Sequence, residues 1–362
     1  MKNLLVVGGL ILASAGCGSD DSAAGTDATP RDDASVVMDG TVPDATPLDA
    51  TIDAADSSPG GESYRIDWGP VTVNGGVEDT RCVVKRLSND APIRVGQITN
   101  DLGSNSHHLI VYRVNDTEEQ LEPFPCDPFT DTLDPSRGSP LTVTQKAFET
   151  ITLPPGVAFT LEPNQMIRLE MHFVNYTAEP AEIASSATFV TMPESEFEHE
   201  ADFLFIGNPD IDIGPRSPYT LGPTYFPLPA ELEGVNFFSL TGHTHQHGTD
   251  VQIATATGAG DTGNSVYNVS GWLWDEPDTV YHDPPFQVPA GGGFRFTCEY
   301  MNTSNSRVGF GESANDEMCF FWAYYYPSRG SQVCIHTDQL GSIDICCPGT
   351  SGSPSPFCSA FF

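Results

Sequence analysis

Five histidines and one methionine have the types and spacing to do redox chemistry in this chain. They fall in four segments: Ser106-His107-His108-Leu109, Glu170-Met171-His172-Phe173, Gly242-His243-Thr244-His245 and Asp316-Glu317-Met318-Cys319. Imidazole suits copper, zinc, iron and nickel, whereas a thioether selects Cu(I). Three histidines in the first half, and His-x-His with a methionine in the second, point to two separate copper centres. The expectation is a redox protein, and an enzyme.

Each motif constrains the backbone that must carry it. Residues i and i+2 of a strand face one side, so His243 and His245 converge on one ion without bending the chain. Zinc would be served as well as copper. His247 continues the alternation and is a third candidate, although a place beyond the strand end favours a role outside the coordination sphere. Gly242 and Gly248 bracket the pair and are expected to allow a turn. Adjacent strand residues face opposite ways, so His107 and His108 reach one ion only at a strand end or a distortion. Gly103-Ser104-Asn105-Ser106 reads as a turn, which puts the pair at a strand start; one buried and one exposed histidine is the alternative. Arg168, Glu170 and His172 alternate with Leu169, Met171 and Phe173, placing His172 on the polar face of a half-buried strand. Met318 opens an aromatic strand, where an apolar residue also reads as core. His199, His282 and His336 are expected to be surface or structural.

From residue 63 onward the chain reads as short strands broken by Gly, Pro, Asn and Asp, for example over 109–113, 166–173, 203–206, 251–256, 294–300 and 319–326. β-Branched and aromatic runs of this length, with 30 prolines in the chain, argue against long helices. An all-β fold of two β-sandwiches follows. The expected division is an N-terminal sandwich over 63–210, a C-terminal sandwich over 211–330 with a boundary in the Pro/Asp/Gly-rich 208–218, and a Cys-rich tail over 331–362.

The start of the chain reads as an export signal. Lys2, the apolar run from Leu4 to Leu12 and the small residues up to Ala15-Gly16-Cys17 have its charge order and length. Cys17 sits where a bacterial lipobox places its lipidated cysteine, so a lipoprotein anchored in the cell envelope is expected, facing the outer membrane or periplasm. Residues 18–62 carry 11 acidic residues against one basic and should form a disordered, self-repelling tether. The 38 acidic and 13 basic residues that follow still leave a formal charge near −25 of the total −34. Such a surface repels nucleic acid. Besides Cys17 there are eight cysteines: 82, 126, 298, 319, 334, 346, 347 and 358. An even number in an exported chain reads as disulfides. Cys346 and Cys347 are neighbours, whose direct bridge would be strained; outward pairing with Cys334 and Cys358 is expected, in either combination.

Taken in order, the four metal motifs resemble those of the copper type II ascorbate-dependent monooxygenases, the family of peptidylglycine α-hydroxylating and dopamine β-monooxygenase. The matching segments are SHHLIVYR (106–113), RLEMHFVN (168–175), GHTHQHG (242–248) and GFGESANDEMCFFWAYYYP (309–327). The resemblance covers roughly residues 65–330. It implies two antiparallel jelly-roll-like sandwiches facing across an open cleft. It also implies an electron-donating copper on His107, His108 and His172, and a dioxygen-reactive copper on His243, His245 and Met318. Ascorbate or an equivalent donor would supply electrons. The family's paired cysteines imply Cys82–Cys126 and Cys298–Cys319 here.

The chain departs from the peptidylglycine enzymes where they hold a substrate carboxylate. The positions that carry Arg, Asn and Tyr there are Thr241, Phe320 and Trp322 here, so charge-assisted donors for a carboxylate are missing. The resemblance implies hydroxylation of an activated C–H bond in a small organic substrate with O2, by a monomer. The competing readings are a non-catalytic copper-binding surface lipoprotein for sequestration or delivery, and a zinc hydrolase. Met318 counts against zinc.

Overall fold

Strands dominate because the apolar and aromatic residues alternate or run continuously over short stretches, and turn residues break every run. The computed structural model describes residues 61–103, 106–126, 128, 138–339 and 341–347. The expected signal peptide, Cys17, nearly all of the 18–62 tether, Ser104, Asn105 and Cys358 lie outside the described residues.

Four main sheets hold the site. The first runs in the order Ser63–Val73, Ala181–Met192, Ile93–Asp101, Val157–Leu161, His199–Glu200, with Phe148–Thr152 also paired to Ile93–Asp101. The second runs Gln120–Pro125, Glu78–Arg86, Met166–Val174, Ser106–Val114, Gly138–Thr144. The third runs Thr279–Phe286, Asn236–His243, Phe320–Tyr326, Asp202–Gly207, Gln332–Thr337, Ile343–Cys347. The fourth runs Pro218–Pro227, Gly293–Met301, Gly248–Ala256, Asn264–Asn268. Pairing is antiparallel except for His199–Glu200 on Val157–Leu161 and Asp202–Gly207 on Gln332–Thr337. The all-β expectation holds.

The two sandwiches are welded by the third sheet. Phe203 and Phe205 belong to the core of the N-terminal sandwich, whereas Leu204 and Ile206 belong to that of the C-terminal one. Met318, Phe320, Trp322 and Tyr324 likewise face the first core, and Cys319, Phe321, Ala323 and Tyr325 the second. Period-2 alternation sends successive side chains to opposite faces, so a run that is apolar at every position is a strand buried on both sides. Phe205 stacks on Phe320 at 5.0 Å between centroids, and the Val143 N–H donates to the Tyr324 hydroxyl at 3.3 Å across the junction. Each aromatic so buried contributes roughly 1.5–3 kcal/mol by area removed from water. The sandwiches therefore pack directly against each other along this sheet.

Two expected boundaries move. Asp202–Gly207, assigned to the N-terminal half by a boundary at 210/211, pairs with Phe320–Tyr326 and Gln332–Thr337 of the third sheet. The division between sandwiches falls before Asp202, because the Pro/Asp/Gly-rich stretch is a loop inside the second sandwich. Residues 332–337 and 343–347, expected in a tail, are strands of that same sheet. Cys82–Cys126 and Cys298–Cys319 are bonded as the resemblance implies, and Cys334 bonds Cys346. Cys347 is also disulfide-bonded.

Candidate metal centre

The strand carrying His107 and His108 is distorted at that point. Ser106 pairs with Phe173 and His108 with His172, two residues on one strand against one on the other. His107 is therefore the extra residue of a β-bulge, the distortion that lets two adjacent side chains serve one side. Its ring lies 5.3 Å from that of His108 and 5.1 Å from that of His172, and His108 and His172 stand 4.9 Å apart. The half-buried reading of His172 fails: Met166–Val174 is buried at every position. Its polar face is turned inward and satisfied there, with Arg168 on Asp116 (3.4 Å), the Tyr112 hydroxyl on Glu170 (3.2 Å) and His172 on Glu78.

His243 is the last residue of its strand, opposite Phe320 in the ladder. Opposed residues share a face, so His243 points to the side of the sheet that also bears Phe320, Trp322 and Met318. The His243 and His245 rings are 5.1 Å apart. Gly248 closes the expected turn, its N–H donating to the His245 carbonyl at 2.9 Å, and both glycines also permit close approach. A Cβ on Gly242 would stand 2.7 Å from Val251 Cγ1, and one on Gly248 would run into Thr244 Oγ1. His247 is buried; its N–H donates to Glu317 Oε1 at 2.6 Å and its carbonyl accepts the Met301 N–H at 2.8 Å.

The histidines of the two sets meet. The His107 ring lies 5.5 Å from that of His245 and 6.4 Å from that of His243, and Trp274 adds a ring 5.6 Å from His107. The five histidines thus form one buried cluster. His199 stacks on Tyr326, His282 donates to the Val266 carbonyl, and His336 pairs with Asp344; these three stand apart from it.

Hydrogen bonds fix the tautomers. The Nδ1–H of His243 donates to Gln145 Oε1 at 2.7 Å, and that of His245 to the Asp316 carbonyl at 3.2 Å. Each of these rings keeps its lone pair on Nε2. The Nε2–H of His172 donates to Glu78 Oε1 at 3.0 Å, and its Nδ1 lies 3.3 Å from His108 Nε2. A second ring nitrogen committed to a carboxylate, amide or carbonyl is the arrangement that orients metal-binding histidines. His107 Nε2 is buried with no hydrogen-bond partner, a cost of about 1–3 kcal/mol that a metal ion would remove. Burial, and then the neighbouring imidazoles, lower His107, His108 and His243 well below the usual histidine range, and burial takes His245 to about 4. These rings are neutral near pH 7, the form that donates to a metal. Among the described residues no group of three or more His, Cys, Asp and Glu side chains stands in a ready-made metal-binding arrangement. The fit rests on the donor set and its proton placement.

Four residues complete the site without any pattern that singled them out. Glu317 is fully buried and accepts the backbone N–H groups of His245 (2.8 Å), His247 (2.6 Å) and Met318 (3.3 Å). Burial pushes its carboxyl up to about 7 against the pull of those donors. The carboxylate stands in for the ladder bonds that end at His243, tying the His-x-His loop to Met318. Glu78, at the start of its strand, is held down to about 2, first by its hydrogen bond to His172. Gln145 and Trp274 come from loops. The position of Glu317 directly before the methionine was the one available sequence signal.

Thr241, Phe320 and Trp322 build the junction instead of lining a carboxylate pocket. Thr241 shares a hydroxyl hydrogen bond with Thr279, and Phe320 and Trp322 both stack with Phe205. A cavity of about 250 Å3 beside the cluster is bordered by Leu102, Ser106, Gln145, Asp275 and Glu276.

Comparison with known proteins agrees with the metal motifs. Residues 224–343 match the family model described as copper type II ascorbate-dependent monooxygenase, C-terminal domain. Among solved structures, PNGase F, a glycosylasparaginase from Flavobacterium meningosepticum, aligns at 12% identity over 74% of this chain and 97% of its own, with a TM-score of 0.33. A Macrobrachium rosenbergii nodavirus structure aligns at 9% identity over 79% and 96%, with a TM-score of 0.19. Neither likeness carries an argument at these scores.

Proposed function

We propose that this protein, whose residues 224–343 match the family model of the copper type II ascorbate-dependent monooxygenase C-terminal domain, hydroxylates an activated C–H bond of a small organic substrate, using O2 and a reductant such as ascorbate. His107, His108 and His172 would hold one copper; His243, His245 and Met318 would hold the other. Bound copper would supply one-electron redox chemistry towards dioxygen, with the thioether favouring Cu(I). The observation that carries the reading is the set of buried imidazoles with a ring nitrogen committed to Gln145, Asp316 and Glu78.

The chain's own residues then have definite tasks. Gln145 and the Asp316 carbonyl hold the protons on Nδ1 of His243 and His245. Glu317 fixes the loop that carries His245 and the backbone of Met318. The apolar junction around Phe205, Phe320 and Trp322 keeps water from that side. The cavity at Ser106 and Gln145 offers a place for a small molecule. The three disulfides between described residues fit an oxidising compartment, which supports export, and with Cys17 a lipid-anchored envelope location.

A screen of candidate metabolites with the copper-loaded domain tests the proposal. Reductant-dependent O2 uptake should accompany a product heavier by one oxygen atom, drawn from labelled O2. Copper binding with no uptake above a His243→Ala control would instead leave the non-catalytic copper-binding reading.

A further inference from the structure

We infer that each sandwich completes the metal centre of the other: Gln145 positions His243 across the junction, and the segment Ser313–Ala314 positions Glu78, and through it His172. This rests on the copper reading above. Gln145 lies between the strands Gly138–Thr144 and Phe148–Thr152 of the N-terminal sandwich, yet both ends of its amide are spent on the C-terminal one. Oε1 accepts the His243 Nδ1–H at 2.7 Å, and Nε2 donates to the Trp274 carbonyl at 3.2 Å. The residues that follow are stitched to the same part of the partner sandwich: Lys146 to Asp278 (2.6 Å), Glu149 to Thr279 (2.7 Å) and the Thr150 carbonyl to Tyr281 (3.4 Å). Gln145 is therefore held in place by a seam, and at 4% exposure water has little room to replace it.

The reverse crossing has the same logic. Glu78 opens a strand of the N-terminal sandwich, and its Oε1 accepts both the His172 Nε2–H (3.0 Å) and the Ala314 N–H (2.9 Å). Its Oε2 accepts the Ser313 hydroxyl at 3.1 Å. Ser313 and Ala314 lie just before Met318, so the loop leading to one donor set orients the carboxylate that orients the other. The metal affinity of each centre becomes a property of the docked molecule and not of its own sandwich.

The test uses the disulfide-bonded domain with Cu(I) alone as the probe. Only the Met318 set contains sulfur, so Cu(I) titration against a competing chelator, with X-ray absorption to detect a sulfur scatterer, tells the two equivalents apart. Gln145→Leu keeps the bulk and removes the acceptor. It should weaken the sulfur-bearing equivalent about 10–100-fold, the usual effect of losing such a partner, and leave the other equivalent unchanged. Gln145→Glu keeps an acceptor for the His243 Nδ1–H and should recover most of that loss. A sulfur-bearing equivalent unmoved by Gln145→Leu overturns the inference, as does equal weakening in both variants, which would mean Gln145 only packs. A wild-type protein whose Cu(I) shows no sulfur scatterer refutes the copper reading itself, and the inference with it.

Discussion

At the scale of single residues, the site depends on where protons sit on buried imidazoles and on one carboxylate that replaces a stretch of ladder. Glu317→Gln tests the second. One acceptor oxygen becomes an N–H2 facing backbone N–H groups, and a buried donor left without a partner costs about 1–3 kcal/mol. Chemical denaturation should show a loss of that size together with weakened copper binding at the adjacent set; a variant as stable as wild type would show that the loop holds itself. Met318→Ile separates ligand from core. Ile retains bulk and apolarity, so stability should fall by only roughly 1 kcal/mol, while reductant-dependent turnover disappears. Turnover at the wild-type rate would make Met318 a core residue, as its 4% exposure also allows.

At the scale of elements, the bulge at His107 and the edge strands of the third sheet are the informative pieces. The need for a distortion was legible from two adjacent histidines that must face one side, and the ladder supplies it between Ser106 and His108. The burial of His172 was not, because Arg168, Glu170 and His172 read as a wet face; only the docking of a second sandwich makes that face interior. The boundary before Asp202 was hidden for a related reason: a Pro/Asp/Gly-rich loop has the same composition within a sandwich as between two. Gln145 and Trp274 lie in loops without periodicity, so no local pattern could mark them. Residues 331–347 are predicted to be indispensable. Ending the chain after residue 330 removes Val333, Cys334 and Ile335, all buried, and should lower the melting temperature by many degrees; an unchanged melt would show that these strands add nothing to the sheet. His336 gives that hairpin a pH dependence. Its hydrogen bond to Asp344, assisted by the charges of Asp338 and Asp210, raises its pKa. A base raised on folding stabilises fully below its unfolded value and loses that contribution as pH rises through the folded one. The pair's own contribution should therefore fade as pH rises from about 6 upward, so the stability margin of wild type over His336→Asn should shrink with pH. A margin that does not change with pH would exclude the pair.

At the scale of the whole molecule, two sandwiches share one apolar junction. The strands Asp202–Gly207 and Phe320–Tyr326 bury opposite faces in the two cores, so neither sandwich can be peeled away without exposing Phe203, Phe205, Trp322 and Tyr324. Calorimetry should show a single cooperative transition for the domain beginning near residue 61, and two resolved transitions would mean that the junction is weak. The same junction brings His107 within 5.5 Å of His245 between ring centroids, where the resemblance had implied separation. The all-β class and the ordered donor motifs could be read from the sequence, but the closeness of the two sets is a property of packing over long chain separation.

The account turns on unlike copper sites in one chain, and X-ray absorption of the reduced, copper-reconstituted protein, with the metal counted per chain, tests that most directly. The prediction is two coppers per chain, with a sulfur scatterer that vanishes in Met318→Ile while the nitrogen shell of the remaining site persists. One copper per chain, a preference for zinc, or the same spectrum with and without Met318 would contradict it.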